Sequence, residues 1–210
     1  MKKTLFAILA LGSLAMADTA SYDIQSTLPT GAITLGANGE LTLENWALSR
    51  DIKTTTSQWA SNDLMADYAF DDTTSTTDLT FTITNTSSNI VILESFTFDV
   101  FAAAGGGTAQ GSNRSGKYTL TVGSAPSSVI NDLTLTAGNL NNAAAFDIED
   151  LELGVGESAN VTLSMQKSWG SRYFAGVSNM DMSYTVVPEP TTATLSLLAL
   201  AGLVARRRRK

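Results

Sequence analysis

The chain contains neither cysteine nor histidine among its 210 residues. Without cysteine there is no disulfide and no lipid anchor on an N-terminal thiol, so any fold must be held by packing alone. Without histidine the usual general base at neutral pH is gone, together with the commonest zinc and copper ligand and every Ser-His or Cys-His nucleophile pair. Proline is scarce too: of four, two stand in the single tripeptide Pro188-Glu189-Pro190. Basic residues are concentrated at the ends. Between Asp18 and Val187 only 6 remain against 19 acidic ones, a formal charge of −13 where the whole chain carries −7. A surface of that sign repels phosphate backbones and anionic headgroups, which excludes nucleic acid as a partner. The acidity reads as solubility outside the cell, with cation binding as the alternative.

What is present begins with two apolar ends. Lys2 and Lys3 precede an apolar run from Leu5 to Leu14 and then Ala15-Met16-Ala17, the small-x-small pattern that signal peptidase accepts. Residues 1–17 are therefore expected to be a secretory signal peptide, cut between Ala17 and Asp18. At the other end, Thr191 to Ala205 is uncharged and stops at Arg206, Arg207, Arg208, Arg209 and Lys210. As a helix this run is about 22 Å long, short of the ~30 Å hydrocarbon core, so it spans only with local thinning and arginine snorkelling. Five consecutive cations stay on the cytoplasmic side and act as a stop-transfer signal. The inner membrane is thus expected to hold the precursor transiently through this C-terminal helix, with the body in the periplasm.

Pro188-Glu189-Pro190, the short Ala/Leu/Gly segment and the arginine cluster, in that order at the end of the chain, resemble the PEP-CTERM sorting signal over residues 188–210. The resemblance implies recognition of Pro188, Glu189 and Pro190 by an exosortase, a membrane-embedded cysteine protease. It also implies removal of the helix and delivery to the outer surface or an exopolysaccharide matrix in Gram-negative bacteria. The two prolines suit that role, because each fixes φ and withholds an N–H, which keeps helix from propagating upstream of Thr191.

In the body, residues 18–187, the apolar pattern has period two. Leu79, Phe81 and Ile83 alternate with threonine, and the same reading fits Ala32–Leu35, Leu41–Leu43, Phe96–Val100, Tyr118–Val122, Leu133–Leu135, Val161–Met165 and Met182–Val186. Turn-forming clusters separate these runs, among them Ala37-Asn38-Gly39, Thr86-Ser87-Ser88-Asn89 and Gly154-Val155-Gly156. The expected fold is all-β, an antiparallel β-sandwich of jelly-roll or immunoglobulin-like type. The order of strands and loops is similar to that of β-sandwich modules found ahead of this sorting tail. Only Ser57 to Tyr68 suggests a short helix or a long loop.

Chemistry is sparse in this body. Gly154-x-Gly156-x-x-Ala159 meets a relaxed dinucleotide fingerprint, but a β-run follows where a helix is required, and the glycine-rich loop at 105–116 lacks the Lys-Ser/Thr ending of a phosphate-binding loop. No cofactor is expected. The acids Asp147, Glu149, Asp150, Glu152 and Glu157, and also Asp71, Asp72 and Asp78, lack the EF-hand spacing and read as solvated loop acids, so no metal site is expected. Glycoside hydrolysis needs only two carboxylates, yet no pair stands out, and a non-enzymatic body is expected. Trp46, Trp59 and Trp169 are candidates for stacking on sugars, against the alternative that each plugs the core. The expected function is an exported surface or matrix protein with a structural or adhesive body. A carbohydrate-binding module is the alternative, and the expected partners are signal peptidase, an exosortase and exopolysaccharide.

Overall fold

The structure, a computed structural model, describes residues 15–25, 27–50, 64–66, 76–104, 112–167 and 173–188. Eleven strands occur among them: β1 (Met16–Asp23), β2 (Ile33–Leu35), β3 (Leu41–Leu48), β4 (Leu64–Ala66), β5 (Thr77–Asn85), β6 (Ile90–Ala104), β7 (Arg114–Val122), β8 (Ser128–Leu135), β9 (Asn142–Leu153), β10 (Ser158–Lys167) and β11 (Tyr173–Val187). Strand β4 falls within the segment expected as helix or loop. The predicted signal peptide through Leu14 and the tail from Glu189 onward lie outside the described residues.

Two antiparallel sheets face each other, one in the order β1-β11-β6-β9 with β4 also on β11, the other in the order β2-β3-β5-β10-β7-β8. The pairings are nested. β1 pairs with β11, β5 with β10, β6 with β9 and β7 with β8. The chain therefore winds as a ribbon folded back on itself, which is the jelly-roll path and resolves the choice left open by alternation alone. One consequence is geometric: the first and last strands of the ribbon must be neighbours.

Alternation puts Leu79, Phe81 and Ile83 of β5, Val161, Leu163 and Met165 of β10, and Phe96 and Phe98 of β6 between the sheets, where all are buried. Threonines 80, 82 and 84 take the outward positions of β5. Gly176 is required by close approach: a Cβ there would run into the ring of its cross-strand partner Phe101. Two asparagines continue the inward phase of their strands and are buried, Asn85 at the end of β5 and Asn142 at the start of β9. Each organises one end of the sandwich. Asn85 donates to the carbonyls of Asn89, Leu153 and Gly154 at 2.7, 2.9 and 3.1 Å and accepts from the Ser87 N–H at 3.0 Å, joining the β5–β6 and β9–β10 turns. Asn142 donates to the Val100 carbonyl at 2.8 Å and accepts from the Thr136 N–H at 2.9 Å.

Replacing Asn85 by alanine removes the amide's bond to the buried Leu153 carbonyl and leaves the Ser87 N–H without its acceptor, while the Asn89 and Gly154 carbonyls keep the Ser87 hydroxyl and the Glu157 N–H. Urea denaturation of the Asn85→Ala protein should therefore show a loss of about 2–4 kcal/mol, with an unchanged slope. A change within about 0.5 kcal/mol would contradict the clamp.

Candidate functional site

Ala17, from the expected signal cleavage site, and Pro188, the first residue of the sorting tripeptide, meet at the end of the sandwich that Asn85 organises. Strand β1 runs antiparallel to β11 with Met16 opposite Val186, Ala17 opposite Thr185 and Asp18 opposite Tyr184. Strand β11 ends at Val187, so Pro188 follows the sheet without any linker. A cleft of about 640 Å³ opens at this corner, lined by Met16, Ala17, Asp18, Glu40, Val186 and Pro188 among others. Of the residues expected to carry sorting and processing, Ala17 and Pro188 are thus brought together, while Ala15 is exposed just ahead of β1. Glu189, Pro190 and Arg206 to Lys210 lie outside the described residues.

The floor of the corner is polar and buried. Asp18 occupies the inward phase of β1, ahead of Ala20 and Tyr22, and the Tyr184 hydroxyl donates to its Oδ2 at 3.2 Å and to Oε2 of Glu40 at 3.4 Å. Glu40 is 6% exposed. Its carboxylate also accepts from the Asn38 backbone N–H at 3.1 Å and the Asn38 side-chain amide at 2.8 Å. Burial raises the Glu40 pKa, but the Asn38 bonds and the residue's own N–H outweigh it and the charge of Asp18, so the net shift is downward. Tyr184 is pushed well above the ordinary phenol range, first by burial, then by the charges of Glu40 and Asp18 and by the hydrogen bonds it gives them. It stays a donor at every physiological pH. Gly36 makes room for this arrangement. With φ at 92° it turns the chain between β2 and β3, and a Cβ there would collide with the Glu40 carboxylate and the Tyr184 hydroxyl.

Trp46 is in the core rather than on a sugar-facing surface. Counting by twos from Leu41 and Leu43 places position 46 outward. A bulge between Glu44 and Ala47, with Asn45 at a φ of 57°, shifts the phase by one residue and turns the indole in. It is 9% exposed, stacked on Phe81 with centroids 4.4 Å apart and flanked by Tyr22 at 5.4 Å. Its faces are covered. Trp59 and Trp169 lie outside the described residues, as do Asp71 and Asp72. Asp147, Glu149 and Asp150 are exposed on β9, Glu152 is exposed at its end, and Glu157 accepts from the Gly154 N–H at 2.8 Å in the turn that follows. Among the described residues, no three acidic side chains converge as a metal site would need. A shallower cleft of about 320 Å³ lies on the outward face, lined by Asn45, Thr80, Thr82, Asn160 and Thr162.

Residue-by-residue reading missed Asp18, Glu40 and Tyr184 as a group, because they come from three separate stretches of the chain. Only Asp18 and Tyr184 leave a trace, as polar atoms at inward-phase positions.

Residues 186–210 match the family model of the PEP-CTERM protein-sorting motif. That segment is the C-terminal sorting signal, and it implies an exported protein whose precursor is membrane-anchored at least transiently and processed by an exosortase. No curated protein matches the chain significantly. Three similar solved structures illustrate the range. They are the GH26-CBM35 beta-(1,4)-mannanase of Podospora anserina (12% identity, 82% of this chain and 29% of that one, TM-score 0.34), the mosquito-larvicidal Cry4Aa toxin of Bacillus thuringiensis (10%, 80%, 24%, 0.37) and the CBM36-1 domain of a multidomain xylanase from the Trinervitermes trinervoides hindgut metagenome (10%, 68%, 95%, 0.32). The chain spans under a third of the first two and nearly all of the third. Likenesses at this level leave function to the chain's own residues.

Two outcomes check the corner. Tyr184→Phe should lower stability by about 1–3 kcal/mol in denaturant titration, since it removes the one hydroxyl shared by two carboxylates. Because Glu40 has a lowered pKa when folded, its stabilising share is present above the ordinary glutamate pKa of about 4.3 and disappears as pH falls through the lowered folded value. The stability difference between the wild type and Glu40→Gln should therefore narrow on acidification in that window; a difference independent of pH would contradict the assignment.

Proposed function

We propose that the protein is a surface or extracellular-matrix component delivered by the exosortase route, with a body that is structural or adhesive and not catalytic. In this reading residues 1–17 are removed by signal peptidase and residues 18–187 form the sandwich. Residues 188–210 hold the precursor in the inner membrane until cleavage near Pro188-Glu189-Pro190 releases it to the outer surface, where exopolysaccharide is its partner. The observation that supports it most is the match of residues 186–210 to the sorting motif, directly after the last strand. The short apolar run favours release over permanent anchorage. The body's charge of −13 favours departure from an anionic bilayer once the tail is gone. The lack of histidine and cysteine supports a body without Ser-His or Cys-His nucleophilic chemistry.

A carbohydrate-binding body is the second reading. It is favoured by the hydroxyl- and amide-lined cleft on the outward face around Thr80, Thr82 and Asn160. Trp46 gives it no support, since its faces are covered. Retention on polysaccharide columns that is lost on Thr82→Val would carry this reading; passage in the void volume would remove it.

Intact-mass and terminal mapping of the protein from an exosortase-bearing host tests the main reading. The wild type should begin at Asp18 and lack Arg206 to Lys210, whereas the Pro188→Ala, Pro190→Ala protein should keep the arginines and stay with the inner membrane. A wild-type product that retains its arginines would overturn it.

A further inference from the structure

The expected signal-peptidase cut falls inside a strand. β1 begins at Met16, but cleavage after Ala17 takes Met16 and Ala17 off the ladder, and these are the residues opposite Val186 and Thr185. After the cut, Thr185 and Val186 keep their β6 partners Ile92 and Val91 but have no strand on the other side. Val187 pairs with Ile90 and has no partner on β1 in either form. Cleavage thus bares Thr185 and Val186 and, with Val187 already open, completes a sheet edge over residues 185–187 that runs directly into Pro188.

The loss is confined to that edge. Met16 is 69% exposed and Ala17 is exposed as well, so no core is given up. The shortened strand is pinned where it now starts, since Asp18 is held by the Tyr184 hydroxyl. The new α-ammonium also arises on a residue beside two carboxylates, its own and that of Glu40. The cut therefore clears the edge as far as Asp18 and no farther.

An edge in this position has a particular use. Enzymes and receptors that take extended peptides bind them by adding a strand, through main-chain hydrogen bonds. Pro188 and Pro190 have no N–H to offer, so within the sorting tripeptide only Glu189 carries a donor. The tripeptide offers three carbonyls but a single N–H, so main-chain donors for an added strand come from the residues just upstream, Thr185 to Val187, and in the uncut chain Met16 and Ala17 occupy part of that stretch. Resting on the exosortase reading given above, we propose that signal-peptide removal uncovers Thr185 and Val186 and so completes residues 185–187 as a docking edge for an extended strand of the exosortase, so that C-terminal processing follows N-terminal processing.

The experiment keeps N-terminal cleavage but leaves the edge covered. Inserting Ala-Met-Ala after Leu14, with Ala17→Val to close the original site, moves the cut upstream so that the mature chain retains residues 15–17. Pulse-chase in an exosortase-bearing host should show normal signal removal and C-terminal processing slowed about five- to tenfold, as expected when two ladder bonds must open first. The same insertion with Ala17→Pro lengthens the chain equally but cannot complete the ladder, and should restore the wild-type rate. Equal rates in all three chains would overturn the proposal. So would slowing by both insertions, which would point to length rather than pairing. Unchanged processing combined with dimers of the wild-type body, but not of the covered one, would overturn it in favour of a second copy as the occupant. A wild-type chain left unprocessed would instead strike at the exosortase reading itself.

Discussion

Everything at the functional corner depends on the pairing of β1 with β11, the first turn of a nested ribbon. Ser21 and Asp181 are hydrogen-bonded across 160 residues, and Asp18 and Tyr184 across 166. Closing a loop of that length is unfavourable, although the cost grows only with the logarithm of the length. In a chain with no disulfide it is offset by burial. Ala20 on β1 and Met180, Met182 and Tyr184 on β11 are all sealed in the core. Once that pair forms, the start of β1 at Met16 and the end of β11 at Val187 are neighbours at one end of the sandwich.

The same corner sets charge against burial. The body carries far more acid than base, and two of its acids, Asp18 and Glu40, lie at the end of the core with one phenol shared between them. Asn38 and Gly36 make this tolerable, the first by hydrogen bonds to Glu40 and the second by leaving out a side chain where the carboxylate must fold in. The group lies near the point where strand β1 begins, and under the proposed cleavage after Ala17 it would hold the new N-terminal residue and set negative charge beside its ammonium.

Much of the sandwich was legible because half-buried strands alternate, and Leu79 to Ile83 does so cleanly. The segments that escaped did so for physical reasons. β1 combines weak alternation, Thr19-Ala20-Ser21-Tyr22, with a start inside the predicted signal peptide. β9 buries Ala144, Phe146 and Ile148 but faces its acids outward, so its sequence reads as an acidic loop while its backbone is a strand of the β6 pair. Trp46 went inward because one bulge reverses the phase of β3, an event that a rule of twos has no means to register. Asn85 and Asn142 were visible in principle, as polar residues in the inward phase of otherwise apolar runs. The corner was legible only in part: the sorting motif was readable from its local pattern, but the placing of Ala17 beside Pro188 is a property of strand order, which no local pattern encodes.

Because the chain has no native thiol, that adjacency can be read with a single engineered pair. Thr19 and Ser183 are cross-strand partners on the outward face of β1 and β11, close to the geometry a disulfide requires. On mild oxidation, the Thr19→Cys, Ser183→Cys protein should form an intramolecular disulfide in nearly every molecule, found by mass spectrometry as one peptide joining the two strands. Free thiols or intermolecular dimers in their place would mean that β1 does not lie on β11, and that the export and sorting segments do not share a corner.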